Sequence, residues 1–411
     1  MGKNKIVDMV HPKTIKALFL IVVFMVVQAV VQAQSTIPIG QLNGSEPNTI
    51  ETTVPFLTIA PDSRSGAMGD AGAATSPDIN SQHWNPAKYA FISGNGGVAL
   101  SYTPWLRNLV NDINLAYLIG YYRIDRQQVI SGSLRYFSLG QIDFTDNNGN
   151  FIKPFNPNEF AIDAGYARLF SDKISGAIAF RFIRSDLTGN IYVEGVGGET
   201  KPGVAFAADI ATYYHTPVKL KDKDGELAFG VDISNIGTKI SYTDNQQKSF
   251  IPIDLRIGGR LTTELDEFNT LSFALDLNKL LVPTSPIYDT VTVNGKPKIL
   301  YGKDPNVSVP LGMLQSFYDA PGGFKEEMRE IMVSAGVEYL YRNQFAVRGG
   351  YFYEDKTKGN RKYFTLGVGM KLNVFGLDFA YLVPASGRQN PLANTVRFTL
   401  SFLFEKQKKS K

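Results

Sequence analysis

From about residue 97 onward the chain repeats one pattern: a segment of roughly ten residues in which apolar and polar side chains alternate, then a turn or loop. Phe364, Leu366, Val368, Met370 and Leu372 alternate with Thr365, Gly367, Gly369 and Lys371. Val396, Phe398, Leu400, Phe402 and Phe404 alternate with Arg397, Thr399 and Ser401 in the same way. Period two belongs to strands that face a different environment on each side. Fourteen such segments can be marked, at 97–105, 114–122, 128–140, 160–169, 174–184, 204–214, 225–234, 253–261, 269–278, 331–341, 344–353, 362–372, 376–382 and 396–404. Most have the length that a tilted strand needs to cross a bilayer.

Connection length then selects among all-β folds. The odd-numbered connections hold 8, 19, 19, 18, 52, 8 and 13 residues, the even-numbered ones 5, 4, 10, 7, 2 and 3. A soluble sandwich has no reason to keep its long loops on alternate connections. An outer-membrane barrel does, because its strands run up and down between tight periplasmic turns and large external loops. The spacing therefore predicts a 14-stranded antiparallel transmembrane β-barrel over 97–404, with both chain ends in the periplasm. Lipid cannot solvate a charge, so the polar partners of the alternation should point into the lumen. They include Asp163, Arg181, Asp209, Asp232, Asp254, Arg256, Arg260, Asp276, Arg348, Lys371, Asp378 and Arg397. Their signs are near balance, which suits internal neutralisation better than a selective pore. Tyr121, Tyr122, Tyr213, Tyr214, Tyr351 and Tyr353 are expected in interfacial aromatic girdles.

Lys3, Lys5, Lys13 and Lys16 precede an apolar run from Ala17, and Val31-Gln32-Ala33 supplies small residues before Gln34. Residues 1–33 read as a secretory signal peptide cleaved near Ala33, with an N-terminal membrane anchor as the alternative. The absence of cysteine excludes lipoprotein processing, disulfides and thiolate chemistry. A formal net charge of +4 on 411 residues does not point to a nucleic-acid partner.

Residues 34–96 precede the first strand and read as a hatch that fills the barrel. Gly66, Gly69 and Gly72 recur every third residue among alanines and serines, which lets the backbone pack closely on a wall. A phosphate loop is the sharper reading of this stretch, but no Gly-Lys-Ser/Thr follows and no β-α-β pattern surrounds it. Asn85 followed by Pro86 reads as a helix N-cap with proline in the first turn, and Trp84 as the anchor of that turn. Arg64, Asp70 and His83 complete the motif residues.

At these positions the chain resembles a known class. The Gly/Ala/Ser-rich stretch ending in Asn85-Pro86-Ala87 ahead of fourteen strands is similar to the FadL-like, long-chain fatty-acid transporter barrels, whose N-terminal hatch carries that motif. More closely, Pro61-Asp62-Ser63-Arg64 with Gly66, Met68, Gly69 and Asp70, then Thr75-Ser76-Pro77-Asp78 and Asn80 through Lys88, resembles the PorV (LptO) family of outer-membrane barrels in type IX secretion. The resemblance implies a shuttle. Such proteins bind cargo by its C-terminal signal domain at the translocon barrel and bring it to a surface complex. There a sortase-like protease removes the signal and attaches the cargo to lipopolysaccharide. The wider class implies an alternative, passive uptake of hydrophobic small molecules. One departure is a basic tail at 405–411 with Lys406, Lys408, Lys409 and Lys411, expected to be a short periplasmic extension.

The connection 279–330 is too long for a passive hairpin link. Thr290–Val293, Asn294-Gly295 and Lys296–Leu300 read as a hairpin with a type I′ turn. Leu311, Met313, Leu314 and Phe317 follow as an apolar helical stretch, with Tyr318 beside it, and Phe324 opens a charged segment to Ile331. These apolar residues are the expected contact surface for cargo or translocon, with the loops 185–203 and 235–252 as further candidates; a lid folded back over the lumen is the other reading. Catalysis is not expected. The only histidines after the leader are His83, which reads as a hydrogen-bonded plug residue, and His215, placed in a short turn. No cofactor is read, and the Asp143–Gly149 and Asp222–Gly225 clusters lack calcium-loop spacing and read as turns.

Overall fold

In the computed structural model the described residues are 47–404, apart from 107–109, 111, 146–148, 191, 194–197, 245–246, 294–295 and 386–394. The expected signal peptide, hatch residues 34–46, the Asn294-Gly295 turn, the Asp146–Asn148 turn and the tail at 405–411 lie outside them.

The strands, in chain order, are β1 (Gly96–Pro104), β2 (Ile113–Arg123), β3 (Gln128–Leu139), β4 (Ile142–Thr145), β5 (Phe151–Phe155), β6 (Asn158–Ser171), β7 (Ile174–Asp186), β8 (Tyr192–Val193), β9 (Gly198–Glu199), β10 (Gly203–Leu220), β11 (Lys223–Gly237), β12 (Asp254–Glu264), β13 (Asn269–Leu280), β14 (Ile287–Val293), β15 (Lys296–Tyr301), β16 (Met332–Tyr341), β17 (Phe345–Tyr353), β18 (Lys362–Leu372), β19 (Phe375–Pro384) and β20 (Val396–Phe404). Fourteen of them close a single antiparallel barrel, β1-β2-β3-β6-β7-β10-β11-β12-β13-β16-β17-β18-β19-β20, with β20 returning to pair with β1. The other six form two-stranded hairpins within long connections. Closure removes every barrel edge, so each of the fourteen strands has a ladder partner on both sides.

The connections sort by end. Six of them span 2 to 4 residues at one end of the barrel, and seven span 8 to 51 at the other. Gly96 pairs with Phe404, so both ends of the cylinder's chain sit at the short-turn end. The connection read as ten residues around His215 contracts to Lys221-Asp222: β10 runs on to Leu220 and carries His215 within the strand. Its alternation there is blurred by charged residues beyond the apolar band, which hid the strand's true length.

The alternation sets the faces. On β18, Phe364, Leu366 and Val368 are exposed outward while Tyr363 and Thr365 are buried inward. Inward charges meet across neighbouring strands: Asp163 sits opposite Arg181 and Glu338 opposite Arg348. Their ion pairs measure 2.5 Å and 2.7 Å, and Arg181 also reaches Asp209 at 2.9 Å. Lys371 also has the inward parity but is exposed at the short-turn mouth. The aromatic girdle needs correction. Adjacent tyrosines take opposite faces, so Tyr122 is 61% exposed while Tyr121 is 5% exposed and stacks on Tyr89 of the hatch. Tyr213 is likewise buried inside.

Candidate functional site

Two regions hold the residues singled out by sequence, the hatch inside the barrel and the longest connection above it.

The hatch contains two short helices, α1 (Ser63–Gly66) and α2 (Ser81–Trp84), with a 3-10 turn from Pro86 to Phe91. Asp62 caps α1 by accepting from Ser65 N at 3.0 Å, and Asn85 caps the 3-10 turn by accepting from Ala87 N at 3.0 Å. Such short pieces cannot satisfy their own backbone, so the barrel wall does. The wall donates to hatch carbonyls. Arg135 reaches Leu57 O (2.9 Å), Arg260 reaches Ala74 O (3.0 Å), Arg256 reaches His83 O (2.6 Å) and Ser175 reaches Ala87 O (2.7 Å). The wall also accepts from hatch amides. Thr399 takes Ser63 N–H (2.9 Å), Thr365 takes Gly69 N–H (2.8 Å), and one Asp276 oxygen takes Gly72 N–H (2.6 Å) and Ala73 N–H (2.8 Å).

Each motif residue has a definite place. Arg64 donates to both oxygens of Glu338 (3.0 and 2.8 Å) and to Asp78 (2.8 Å), tying hatch to wall and hatch to itself. Gly66 packs against the Arg397 side chain, which lies 3.7 Å from Asp70. Gly69 has φ +66°, and a Cβ on it would lie 2.5 Å from the Tyr351 carbonyl oxygen. Glycine is required there twice over, by the left-handed backbone and by the close approach. Gly72 lies flat under the Trp84 ring. Asp70 accepts from Tyr363 OH (2.6 Å), Trp84 donates to Asp62 (2.6 Å), and His83 Nδ1 accepts from Arg135 (2.7 Å). Asn85 donates to Ala73 O (3.0 Å) and to Thr212 O of β10 (2.9 Å), and Pro86 begins the 3-10 turn. Sequence reading found the hatch side of this seam. It also listed Asp276, Arg256 and Arg260 as lumenal, but it did not single out Arg135 or Ser175, and the receiving Thr365 and Thr399 were visible only as inward positions of the alternation.

The longest connection carries the hairpin β14–β15 and the helices α3 (Val309–Gln315) and α4 (Phe324–Glu327), followed by a 3-10 turn to Glu330. One side is latched. Lys279 at the end of β13 donates to Glu327 (3.1 Å) and Glu330 (2.5 Å), and Lys358 of the β17–β18 loop donates to Glu326 (2.6 Å) and Glu330 (2.9 Å). Thr284 Oγ1 donates to Glu330 (2.6 Å), and Asn48 of the N-terminal strap donates to Glu326 (2.8 Å). Burial, with Glu327 and Glu330 nearby, pushes the Asp319 carboxyl up to about 7. Buried ionic networks of this kind fix geometry more than they add net stability. Sequence reading missed this latch, because Lys279 occupies an outward position of the alternation and Lys358 lies in a separate loop.

The other side is bare. Leu311, Leu314, Phe317, Tyr318 and Phe324 are each close to half exposed or more, with Leu314 at 65%. Met313 is a correction to the expected surface: it is partly buried and packs against the core cluster that contains Phe250 and Leu281, because it is turned about 100° or more around the helix from Leu311 and Leu314. Among the described residues no group of three His, Asp or Glu side chains could hold a metal ion.

A closed barrel of fourteen apolar-outside strands around an inserted N-terminal hatch defines an outer-membrane protein of the hatched-barrel type. The sequence profile of the family described as "Type IX secretion system protein PorV" matches residues 42–287, and the chain belongs to that family. Among solved structures it is similar to the toluene transporter TodX of Pseudomonas putida, at 10% identity over 87% of this chain and 98% of that one, with a TM-score of 0.45. It is also similar to the toluene transporter TbuX of Ralstonia pickettii (11% identity, 84% and 98% covered, TM-score 0.43). A third is a FadL homologue of Pseudomonas aeruginosa (10% identity, 88% and 100% covered, TM-score 0.42). No curated protein shows significant sequence similarity to the chain.

Proposed function

We propose that the protein is the cargo-docking subunit of type IX secretion. It receives the C-terminal signal domain of a secreted protein at the translocon barrel and carries it to the surface complex that removes the signal and attaches the cargo. In this reading residues 1–33 are removed as a signal peptide. The short-turn end, with both chain termini, faces the periplasm, and the long loops face outward, above the lipid and lipopolysaccharide of the outer leaflet. The protein acts by binding and not by catalysis.

Family membership supports the secretion role, and the bare apolar face of Leu311, Leu314, Phe317, Tyr318 and Phe324 on the longest connection carries the docking role. An apolar surface of this size on a loop that reaches water needs a partner. The lumen, by contrast, is filled by a hatch bonded to wall residues on many strands, which speaks against free passage of a solute. The test is crosslinking in cells from Phe317 together with deletion of 305–325. Crosslinking of the translocon barrel or of cargo from Phe317 in the intact protein, and loss of cargo pull-down by a correctly assembled deletion barrel, are the expected results. Wild-type cargo capture by a correctly assembled deletion barrel would remove this loop from the docking surface.

A further inference from the structure

The N-terminal strap crosses the long-loop end of the barrel before it enters the lumen. Asn48 N–H donates to Thr357 O (2.8 Å) in the β17–β18 loop, and Thr53 N–H donates to Phe250 O (2.9 Å) in the β11–β12 loop. Beneath the strap, and above the hatch residues Asp70 and Trp84, lies a cavity of about 290 Å³. Its apolar lining comes from five different parts of the chain: Ile50 and Pro55 of the strap, Trp84 of the hatch, Leu280 of β13, Met332 of β16 and Phe352 of β17. Thr49 and Pro55 at its rim are exposed, so the cavity communicates with the long-loop side.

The charged side chains around it are already engaged with one another. Arg256 pairs with Asp254 (3.0 Å), Arg361 holds both oxygens of Glu354 (2.8 and 2.9 Å), and Lys358 is shared by Glu326 and Glu330. Arg361 also lies over the Phe352 ring at 5.3 Å and Arg256 over Trp84 at 5.2 Å, so the cations stiffen the aromatic walls. An occupant need bring no net charge, although Asp70 Oδ1, Asp254 Oδ1 and Asn278 Oδ1 of the lining accept no hydrogen bond among the described residues. Size narrows it further: a cavity of about 150 Å³ lined by aliphatic and aromatic side chains accommodates benzene, so this one has room for a large ring or branched chain and for little more. The cavity is also joined to the docking face. Glu330 lines its wall and is the residue on which the latch of the α3–α4 segment converges.

We infer that this cavity is a socket for one bulky apolar side chain, aromatic or branched, presented by the protein partner that docks on the long-loop face. The inference rests on the docking reading and adds to it the recognition element. A side chain buried in a pre-formed pocket at the centre of a contact is the usual anchor of a protein interface, while the surrounding flat contacts exclude water. The loop face would then supply area and the socket would supply discrimination between partners.

The experiment uses the full-length protein in detergent, with the purified C-terminal signal domain of a type IX cargo as probe. Thr52 lines the cavity from the strap, residues 47–55 at the start of the hatch segment, and makes none of the hatch-to-wall hydrogen bonds described above. Thr52→Trp fills the socket, and Thr52→Ser leaves it open. The expected result is at least a tenfold rise in Kd for Thr52→Trp and wild-type affinity for Thr52→Ser. A photo-reactive residue at position 52 is expected to crosslink to one apolar residue of the probe. Equal affinity of wild type and Thr52→Trp, with crosslinks from Phe317 but none from position 52, overturns the socket and leaves the docking face standing. No binding of the probe to the wild type overturns both. Saturation of the cavity by free toluene with no effect on probe affinity would make it a small-molecule site and also overturn the inference.

Discussion

The hatch and the α3–α4 segment are both irregular, helix-poor stretches attached to the same barrel, yet their surfaces are finished in opposite ways. In the hatch, wall side chains of several strands take the backbone groups that short helices leave over, and Trp84, Ala73 and Gly69 are fully enclosed. In the loop segment only one side is secured, by Lys279 and Lys358, and the other leaves five large apolar side chains in the open. Irregular backbone is tolerated at membrane depth only where protein buries it. Apolar side chains are tolerated in water only where something else covers them. The hatch is therefore completed by the barrel wall, whereas the loop segment keeps an apolar face that the described residues leave exposed.

The largest expected effect comes from breaking the finished side. Trp84→Ala removes a ring packed between Gly72 and the Arg256 guanidinium and orphans an Asp62 oxygen, at a cost of about 3–5 kcal/mol to the seated hatch. Asp276→Ala leaves the Gly72 and Ala73 amides without their acceptor, about 1–3 kcal/mol for each. Either variant should keep a heat-modifiable barrel on gels and gain channel current in planar bilayers relative to the wild type, whose seated hatch should pass little. A variant that passes no more current than the wild type and is as stable would mean that the seam does not hold the hatch.

Next is the unfinished side. Replacing Leu314, Phe317 and Phe324 with serine removes mainly exposed apolar area, the Phe317 ring also lying 5.9 Å from the Lys279 ammonium, so stability should change by under about 0.5 kcal/mol at Leu314 and Phe324 and by about 0.5–1 kcal/mol at Phe317. Capture of a partner in cells should nevertheless fall to background. The comparison fails if the triple variant unfolds the loop, seen as new proteolytic cleavage within 305–330, because the face would then be structural.

Much of this contrast was legible in the amino-acid order. Strand period and the alternation of connection lengths specify the closed barrel, because a lipid face forbids charge at every second residue and leaves little freedom of register. The Gly66/Gly69/Gly72 spacing announced close packing, and Gly69 meets the β17 backbone. Asn85-Pro86 announced a capped turn and delivers one. What could not be read is what depends on distant partners. His215 looked like a turn residue because local polarity cannot distinguish a strand that extends beyond the membrane from a loop. Met313 looked equivalent to Leu314 because a seven-residue helix shows too little periodicity to tell its covered face from its open one. The Lys279–Glu330–Lys358 latch joins three segments far apart in sequence, and no spacing rule connects them.

The smallest expected effect tests how firmly the open segment is held. Asp319 is almost fully buried, and burial with Glu327 and Glu330 beside it raises its carboxyl from 3.8 to about 7. Thr284 N–H reaches Asp319 at 3.3 Å, and Lys279 bonds to Glu327 and Glu330. The closed loop thus retains a proton that a released loop would lose. Stability of the closed form falls as pH rises from the ordinary carboxyl range toward 7, and the full penalty is present above it. Between pH 6 and pH 8 the released population should grow by about tenfold, from one unit of ionisation beyond the raised value. Hydrogen exchange of the amides in 309–330, corrected for its intrinsic pH dependence, measures this directly. Asp319→Asn keeps the shape and removes the charge, so exchange should be slow at both pH values. If Asp319→Asn retains the tenfold change, another group controls the latch, and Glu327, which shares the Lys279 ammonium, becomes the residue to change next.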